Sequence, residues 1–395
     1  MYSLKDFNFT NKRVLVRCDF NVPIKYGQVG DDFRIKRSLP TVFYLKRAGA
    51  KIILMSHLGR PQEPTRGSLF SSQPLSLKPV KKRLEELVKD KLQFYSKSTG
   101  PLLERKVNKM KGGQIILLEN LRFNKGEEAN DLHLAMQLAK LGDFYINEAF
   151  SVCHREHASV ALLPKLLPHC PGLELADEVE FLSKIRDNPQ RPFTVIIGGA
   201  KLDSKMKVID KFVALADHIL FGGDVADVIL AVKGICLGCS WPAREVIEKI
   251  QYLKITSSKI HLPIDAIISP DRTGKSYTRE GAPGTLRYDE EILDIGPETI
   301  KKFGEIIKGS ATIFWSGPLG LVENERFERG TVEVARILAQ NKRALKVLGG
   351  GDTVPVLNKH GLMNSFSFIS VGGGAMLSFL AREKMPGLAA LGFAL

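Results

Sequence analysis

The stretch Phe193-Thr-Val-Ile-Ile-Gly-Gly-Ala-Lys201 decides the architecture. A short apolar, β-branched run stops at two glycines, and a helical pattern follows. That is the signature of a strand turning into a helix across a tight, phosphate-sized bend. The pattern recurs on both sides. Strands are expected at Arg13 to Phe20, Lys51 to His57, Ile115 to Leu118 and Phe144 to Ile146. A second set is expected at His218 to Phe221, His261 to Ile268, Ala311 to Trp315, Leu345 to Leu348 and Ser367 to Ser370, with Asn324 to Gln340 as one of the intervening helices. Strands alternating with helices imply right-handed βαβ units and parallel sheets covered on both faces. In such sheets ligands bind at the carboxyl ends of the strands.

The chain has 395 residues, enough for two domains of this kind. Pro164, Pro168 and Pro171 punctuate the middle, and Leu173 to Arg186 reads as one amphipathic helix closed by Asn188-Pro189. The expected fold is therefore α/β: two Rossmann-like lobes with parallel β-sheets covered by helices. Residues 1–172 would form the first lobe, 173–187 a hinge helix and 188–395 the second, with the extreme C-terminus packing back on the first.

Composition narrows the class of function. Apolar residues at 44% and charged residues at 25% are the balance of a globular protein. No apolar run approaches membrane-spanning length, and Met1 to Lys12 lacks the apolar core of a signal peptide, so a cytoplasmic location is expected. The five cysteines are scattered. Cys236 and Cys239 form a lone Cys-x-x-Cys with no zinc-completing partner nearby, and read as unpaired thiols in a reducing compartment. The net charge is +14, and residues 1–170 hold 29 Lys and Arg against 16 Asp and Glu. That excess suits an anionic ligand. No nucleic-acid-binding signature accompanies it.

Four glycine turns fall in the second half: Gly198-Gly199, Gly222-Gly223, Gly349-Gly350-Gly351-Asp352 and Gly372-Gly373-Gly374. Each follows a strand run and precedes a helical pattern, so together they suit an extended, phosphate-bearing ligand. Two familiar nucleotide motifs fail. Thr273-Gly274-Lys275-Ser276 has only the tail of a P-loop and reads as a loop, and no Gly-x-Gly-x-x-Gly follows the first strand. The first half offers separated cations instead. Arg17, with Asp19 and Asn21 after it, lies at the first strand, and Arg34, His57, Arg60, Arg122 and Arg155 sit at other strand ends or loops. Arg presents a planar fork to phosphate or carboxylate, so such a set makes a clamp for a small polyanion.

Several segments resemble those of phosphoglycerate kinases. They are Val14-Leu-Val-Arg-Cys-Asp-Phe-Asn-Val-Pro23, Ser56-His-Leu-Gly-Arg-Pro61, Leu118-Glu-Asn-Leu-Arg-Phe123 and His154-Arg-Glu-His-Ala-Ser159 in the first half. The second half adds Gly198-Gly-Ala-Lys201, Leu262-Pro-Ile-Asp265, Asp294-Ile-Gly-Pro297, Trp315-Ser-Gly-Pro318 and Gly349-Gly-Gly-Asp-Thr353. The resemblance spans nearly the whole chain, in the family's order. It implies reversible transfer of a phosphoryl group between 1,3-bisphosphoglycerate and ADP, giving 3-phosphoglycerate and ATP, with Mg2+, in a monomer that closes about a hinge. By motif position, Asp19, Asn21, Arg34, His57, Arg60, Arg122 and Arg155 would hold the acidic substrate. Lys201, Lys205, Glu323, Gly350, Gly351, Asp352 and Thr353 would hold the nucleotide, with Asp352 on the metal. Arg34, Lys201 and Gly351 would serve the transfer itself. On residue chemistry alone Asp352 could equally be a helix N-cap.

The departures from the family pattern cluster on the nucleotide side. Asp224 stands where the family has a third glycine, Val225 where it has Met, Ser316 where it has Asn, Val371 where it has Thr and Ser204 where it has Asp. Asp224 is expected to turn outward and cap the helix after it. On the substrate side Glu148 replaces Asp and Ser151 replaces Gly. Two other functions fit parts of the chain: a nonenzymatic scaffold with a degenerate nucleotide site, and nucleic-acid binding by the basic first half. Intact Lys201, Asp352 and Arg34 argue against the first.

Overall fold

The structure is a computed structural model that describes residues 3–61, 75–200, 202–236, 244–252 and 257–394. The chain divides into two compact units, one of residues 1–180 with 382–395 and the other of residues 181–381.

The main sheet of unit 1 has six strands among the described residues: β1 (Arg13–Arg17), β2 (Lys51–Met55), β3 (Gln93–Tyr95), β4 (Ile115–Leu118), β5 (Phe144–Asn147) and β6 (His169–Pro171). They lie in the order β3-β4-β2-β1-β5-β6, and every neighbouring pair is parallel. The two-residue period of a strand explains why these runs are apolar throughout. Val14, Val16, Ile52, Leu54, Ile115, Leu117, Phe144 and Ile146 share one buried cluster with Ile35, Leu39, Val42 and Leu45 of helix α1 (Phe33–Arg47). The alternate residues Leu15, Ile53, Ile116 and Tyr145 are buried as well. A sheet with both faces covered needs no polar alternation. Each such side chain removed from water contributes roughly 1.5–3 kcal/mol.

Helix α2 (Leu173–Asp187) follows β6, and the division between the units falls inside it. The C-terminal segment belongs to unit 1, where Gly387 N–H donates to Cys153 O at 2.9 Å. A side chain at Gly387 would meet Val160 Cγ1 at 2.6 Å, so only glycine allows that approach.

Unit 2 begins with β7 (Phe193–Ile197), helix α3 (Leu202–Leu215), β8 (His218–Phe221), helix α4 (Gly223–Val232) and β9 (Ile260–His261). It continues through β10 (Ala266–Ser269), β11 (Arg279–Gly281), β12 (Glu291–Ile295), β13 (Thr312–Ser316), helix α5 (Arg329–Gln340), β14 (Leu345–Gly349), helix α6 (Thr353–Lys359) and β15 (Phe368–Ser370). The main sheet runs β9-β8-β7-β13-β14-β15, all parallel. Phe212 of α3 packs between Phe193 and Phe314, with ring centroids 5.9 and 5.3 Å apart.

Three local readings change. The run from His261 to Ile268 is two strands, and β10 instead joins β11 and β12 in a small antiparallel sheet. The helix expected from Asn324 starts at Arg329, because the Asn324 side chain accepts from Arg326 N–H and caps a short 3-10 turn first. Cys236 is disulfide-bonded, not a free thiol, while Cys18, Cys153 and Cys170 are free and buried. Among the described residues no helix is long and apolar enough to cross a membrane.

In both sheets the chain leaves its first strand toward one side and later returns to the other side of that strand. The switch points therefore lie between β1 and β5, and between β7 and β13. Ligand crevices form at the carboxyl ends of strands at such points.

Candidate active site

In unit 1 the residues picked out from the sequence gather beyond the carboxyl end of β1. Arg17, the last residue of that strand, is fully buried and held on three sides. Its Nε donates to Ser159 Oγ at 2.9 Å, its Nη1 to Cys18 O at 2.7 Å, and its Nη2 to His57 Nδ1 at 3.3 Å. Buried Glu127 supplies the counter-charge, 3.8 Å from Arg17 Nη2, and accepts from Ser159 Oγ at 2.6 Å and from Ser159 N–H at 3.0 Å. Arginine can only donate, so His57 Nδ1 must accept and the ring proton sits on Nε2. Burial, then Arg17, Arg122, His157 and Arg34, push the His57 pKa well below its usual value. Burial foremost, then Arg17, Arg122, Arg155 and His154, lower the His157 pKa to about 3. Both rings are neutral donors at neutral pH.

Around this base the remaining cations gather. Arg122 is buried by the turn after β4, donates from Nη1 to Gly59 O at 2.6 Å, and has Glu128 Oε1 3.0 Å from its Nε. Its pKa is lowered by burial and by the positive fields of Arg155, Arg17 and Arg60, against the opposing pull of Glu128. Asp19 accepts from Arg34 Nη1 and, at 2.6 Å, from Ser151 Oγ. Asn21 Oδ1 accepts from Gly59 N–H at 2.9 Å, so β1 and the loop after β2 are tied together. Thus Arg34 and Asp19 are joined by an ion pair, Asn21 is tied to Gly59, Arg17, Arg34 and Arg122 act on His57, and Arg60 and Arg155 act on Arg122. Arg17, Arg34 and Arg122 have acidic partners in Glu127, Asp19 and Glu128, and the positive field of the whole group suits an anionic ligand.

Three residues in this network lie outside those that the sequence singles out. Ser159 sits inside a quoted motif. Ser151 had been seen only as a departure from glycine. Glu127 had no local signal, because its partners Arg17 and Ser159 are distant in sequence.

Unit 2 carries a pocket of about 90 Å³ at the ends of β7 and β13, with Gly199, Ala200, Gly223, Asp224, Glu323 and Asp352 among its lining residues. Here the glycines do two different jobs. Gly198, Gly199, Gly222, Gly223 and Gly317 permit main chain to pack on main chain. Gly199 N–H donates to Pro318 O at 2.6 Å and Gly223 N–H to Leu319 O at 2.9 Å, and a Cβ on Gly223 would sit 2.8 Å from Gly199 N. Gly351, by contrast, has open space where a side chain would be, and Gly350 lies at φ +111°, a conformation that favours glycine. Lys205 is nearly buried and donates from Nζ to Gly198 O and, at 3.0 Å, to Ala200 O. Lys201 lies outside the described residues.

Asp352 stands at the N-cap of α6, yet its side chain makes no capping hydrogen bond. Next to it, buried Thr353 Oγ1 has no hydrogen-bond partner. Asp224 is also not a cap. Gly222 occupies that position on α4, no side chain caps the helix, and Asp224 is exposed in the first turn beside the pocket. Its charge still complements the helix N-terminus there without a capping bond. Thr273-Gly274-Lys275-Ser276 is a loop, organised by the Asp271 carboxylate, which accepts from the backbone of Thr273 and Lys275 at 2.8 Å each.

This cluster and this pocket occur in a chain with extensive kinship. The profile of the family described as phosphoglycerate kinase matches residues 4–383. A phosphoglycerate kinase of Wolbachia pipientis is 40% identical over 396 residues, covering 98% of this chain and 98% of the relative. One of Aquifex aeolicus is 41% identical over 399 residues, covering 97% and 96%. Among solved structures, phosphoglycerate kinase from Pyrococcus horikoshii superposes with a TM-score of 0.86 at 32% identity, covering 99% of this chain and 98% of that one. The enzyme from Coxiella burnetii gives 0.85 at 32% identity, with the same coverage. The chain belongs to the phosphoglycerate kinase family, phosphotransferases whose acceptor is a carboxyl group.

Proposed function

We propose that the unit 1 crevice binds 3-phosphoglycerate, that the unit 2 pocket binds the adenine nucleotide, and that transfer runs between them in a monomeric cytoplasmic enzyme. The observation that carries the reading is the convergence of Arg17, Arg34, Arg122 and Arg155, whose fields and bonds meet around neutral His57 and His157, with Arg60 acting on Arg122.

A carboxylate acceptor is ionised at neutral pH, so no general base is required. His57 suits this chemistry as a neutral donor through Nε2. Catalysis then rests on alignment and on positive charge placed where the transferring oxygens gather it. Arg34 is pre-positioned by Asp19, itself fixed by Ser151. Lys201 would add charge from the other side, and the backbone at Gly350 to Thr353 offers N–H donors at a helix start.

Magnesium suits Asp352. The carboxylate is not used as a cap, and Thr353 Oγ1 beside it lacks a partner. Among the described residues no three His, Cys, Asp or Glu side chains could enclose a metal ion by themselves. An ion here would be held by one carboxylate and by nucleotide phosphates, whose charge it would neutralise. Transfer requires the two ligands to meet, so we infer closure of the two units, with α2 taking part.

Calorimetric titration tests the assignment. Arg60→Ala and Arg155→Ala should each weaken 3-phosphoglycerate binding at least about tenfold, as expected for a lost charged hydrogen bond, and leave nucleotide affinity unchanged. Unaltered 3-phosphoglycerate affinity in both variants would overturn it.

A further inference from the structure

One short helical turn, Lys125–Glu128, supplies counter-charges for two of the arginines that act on His57. Glu128 Oε1 stands 3.0 Å from Arg122 Nε, and Glu127 Oε1 stands 3.8 Å from Arg17 Nη2. Glu128 is partly exposed, whereas Glu127, Arg17 and Ser159 are all fully buried. A gap of 3.8 Å is too long for a hydrogen bond, so Glu127 reaches Arg17 through the Ser159 hydroxyl.

Every joint of this chain has a fixed direction. As the counter-charge of Arg17, Glu127 only accepts, so Ser159 Oγ commits its one hydrogen to Glu127 Oε1 at 2.6 Å. The Oγ lone pair then accepts from Arg17 Nε at 2.9 Å. Glu127 Oε2 accepts from Ser159 N–H at 3.0 Å, and the Tyr145 hydroxyl donates to Ser159 O at 2.8 Å, so the serine is held by its backbone as well. Arg17, thus anchored, donates from Nη2 to His57 Nδ1 at 3.3 Å. The hydrogen bond made by one ring nitrogen decides which form of a neutral imidazole is present. His57 makes no other hydrogen bond among the described residues, so its Nε2–H is available to a ligand.

We infer that Glu127 and Ser159 are positioning residues: acting through Arg17, they hold His57 in the Nε2–H form that donates to an oxygen of 3-phosphoglycerate. The inference rests on the unit 1 cluster being the 3-phosphoglycerate site. In the other neutral form Nδ1–H would face an Arg17 N–H, donor against donor, and an Nε2 lone pair would face the anion. Two substitutions break the chain at stated joints. Glu127→Gln cannot accept from both the hydroxyl and the N–H of Ser159, because one of its two polar atoms is a donor. Ser159→Ala leaves Arg17 Nε without its acceptor and keeps both charges in place.

The test reads His57 directly. Nitrogen-15 NMR of the histidine rings, with His57→Gln to assign the signal, is combined with calorimetric titration of 3-phosphoglycerate and MgADP and with thermal melts. Wild-type His57 is expected to be bare at Nδ1 and protonated at Nε2, and to stay so at about pH 6.5, where an ordinary imidazole is half-charged. Ser159→Ala and Glu127→Gln should each bring in the Nδ1–H form or the charged ring. Each should weaken 3-phosphoglycerate binding about tenfold or more, as for a lost hydrogen bond to a charged group, and leave MgADP affinity unchanged. In a His57→Gln background the same substitutions should change 3-phosphoglycerate affinity less than about threefold, because the ring they act through is gone. Should Glu127→Gln fail to fold, Ser159→Ala carries the test alone. Wild-type His57 protonated at Nδ1 overturns the inference, and so does an unchanged ring in the folded variants. Equal losses with and without His57 overturn it too, since a merely structural role would be additive. If the wild type binds no 3-phosphoglycerate, the substrate assignment fails, while the ring nitrogens still decide whether Glu127 and Ser159 set the form of His57.

Discussion

Replacing Arg34 with Ala removes one of the two cations assigned to the transferring group, and the structure limits what else it can do. The Arg34 side chain is 31% exposed and Asp19 is 5% exposed. Asp19 would keep two donors after the substitution, Ser151 Oγ at 2.6 Å and the Asn21 N–H at 3.1 Å. Loss of a partly exposed ion pair should therefore cost folding about 1 kcal/mol. The barrier is another matter. A preorganised charge at a developing oxyanion contributes on the order of 3 kcal/mol, or roughly 150-fold in kcat. Steady-state rates at saturating substrates, with calorimetric affinity for 3-phosphoglycerate, separate the two effects. The expected outcome is a fall in kcat of about two orders of magnitude with a change in affinity below about tenfold. A raised KM with unchanged kcat would show Arg34 to be a binding residue only, and the assigned role would be wrong.

Three further outcomes follow from the geometry. A methyl group at Gly198 would run into Pro318 O, a backbone atom that cannot swing away, so Gly198→Ala should destabilise unit 2 by about 3 kcal/mol in thermal or urea unfolding. Gly309→Ala, with nothing within 4 Å, is the neutral comparison, and equal melting of the two would refute the packing argument. Glu148 is buried in unit 1 with its pKa raised, by burial above all, to about 8. A folded value above the unfolded one means that its protonated form favours folding below about pH 4.5 and that this contribution is lost as pH rises through 8. Glu148→Gln should therefore gain stability relative to wild type between pH 6 and 9, by a few kcal/mol at the upper end, and a pH-independent difference would contradict the burial of a protonated acid. Small-angle scattering should show the radius of gyration falling most when 3-phosphoglycerate and nucleotide are both present, and equal radii in all states would count against closure.

The strands were legible because both faces of each sheet are buried, which leaves apolar runs ended by glycine. The antiparallel sheet was not. Residues 262–265 look like more strand, but Asp265 serves a helix start more than thirty residues away, accepting from Thr299 N–H at 2.7 Å and Glu298 N–H at 2.9 Å. No local pattern records such a partner. The glycine turns were legible as turns, though about half of them serve main-chain packing as much as any ligand. Asp352 and Asp224 show the same limit. A carboxylate at a helix start satisfies the capping rule on paper, and only the geometry shows that neither makes the bond. In unit 1 the arginines could be picked out singly, while Glu127, which anchors Arg17 through Ser159, is visible only once the chain is folded.

The most direct test of the whole account is the initial rate of 3-phosphoglycerate-dependent nucleoside diphosphate formation, measured in a coupled assay with Mg2+ and either ATP or GTP as donor. The account predicts turnover that requires 3-phosphoglycerate, Mg2+ and a purine nucleoside triphosphate together, and that falls about two orders of magnitude in Arg34→Ala. Absence of 3-phosphoglycerate-dependent turnover with both donors, in protein that melts cooperatively, would contradict it.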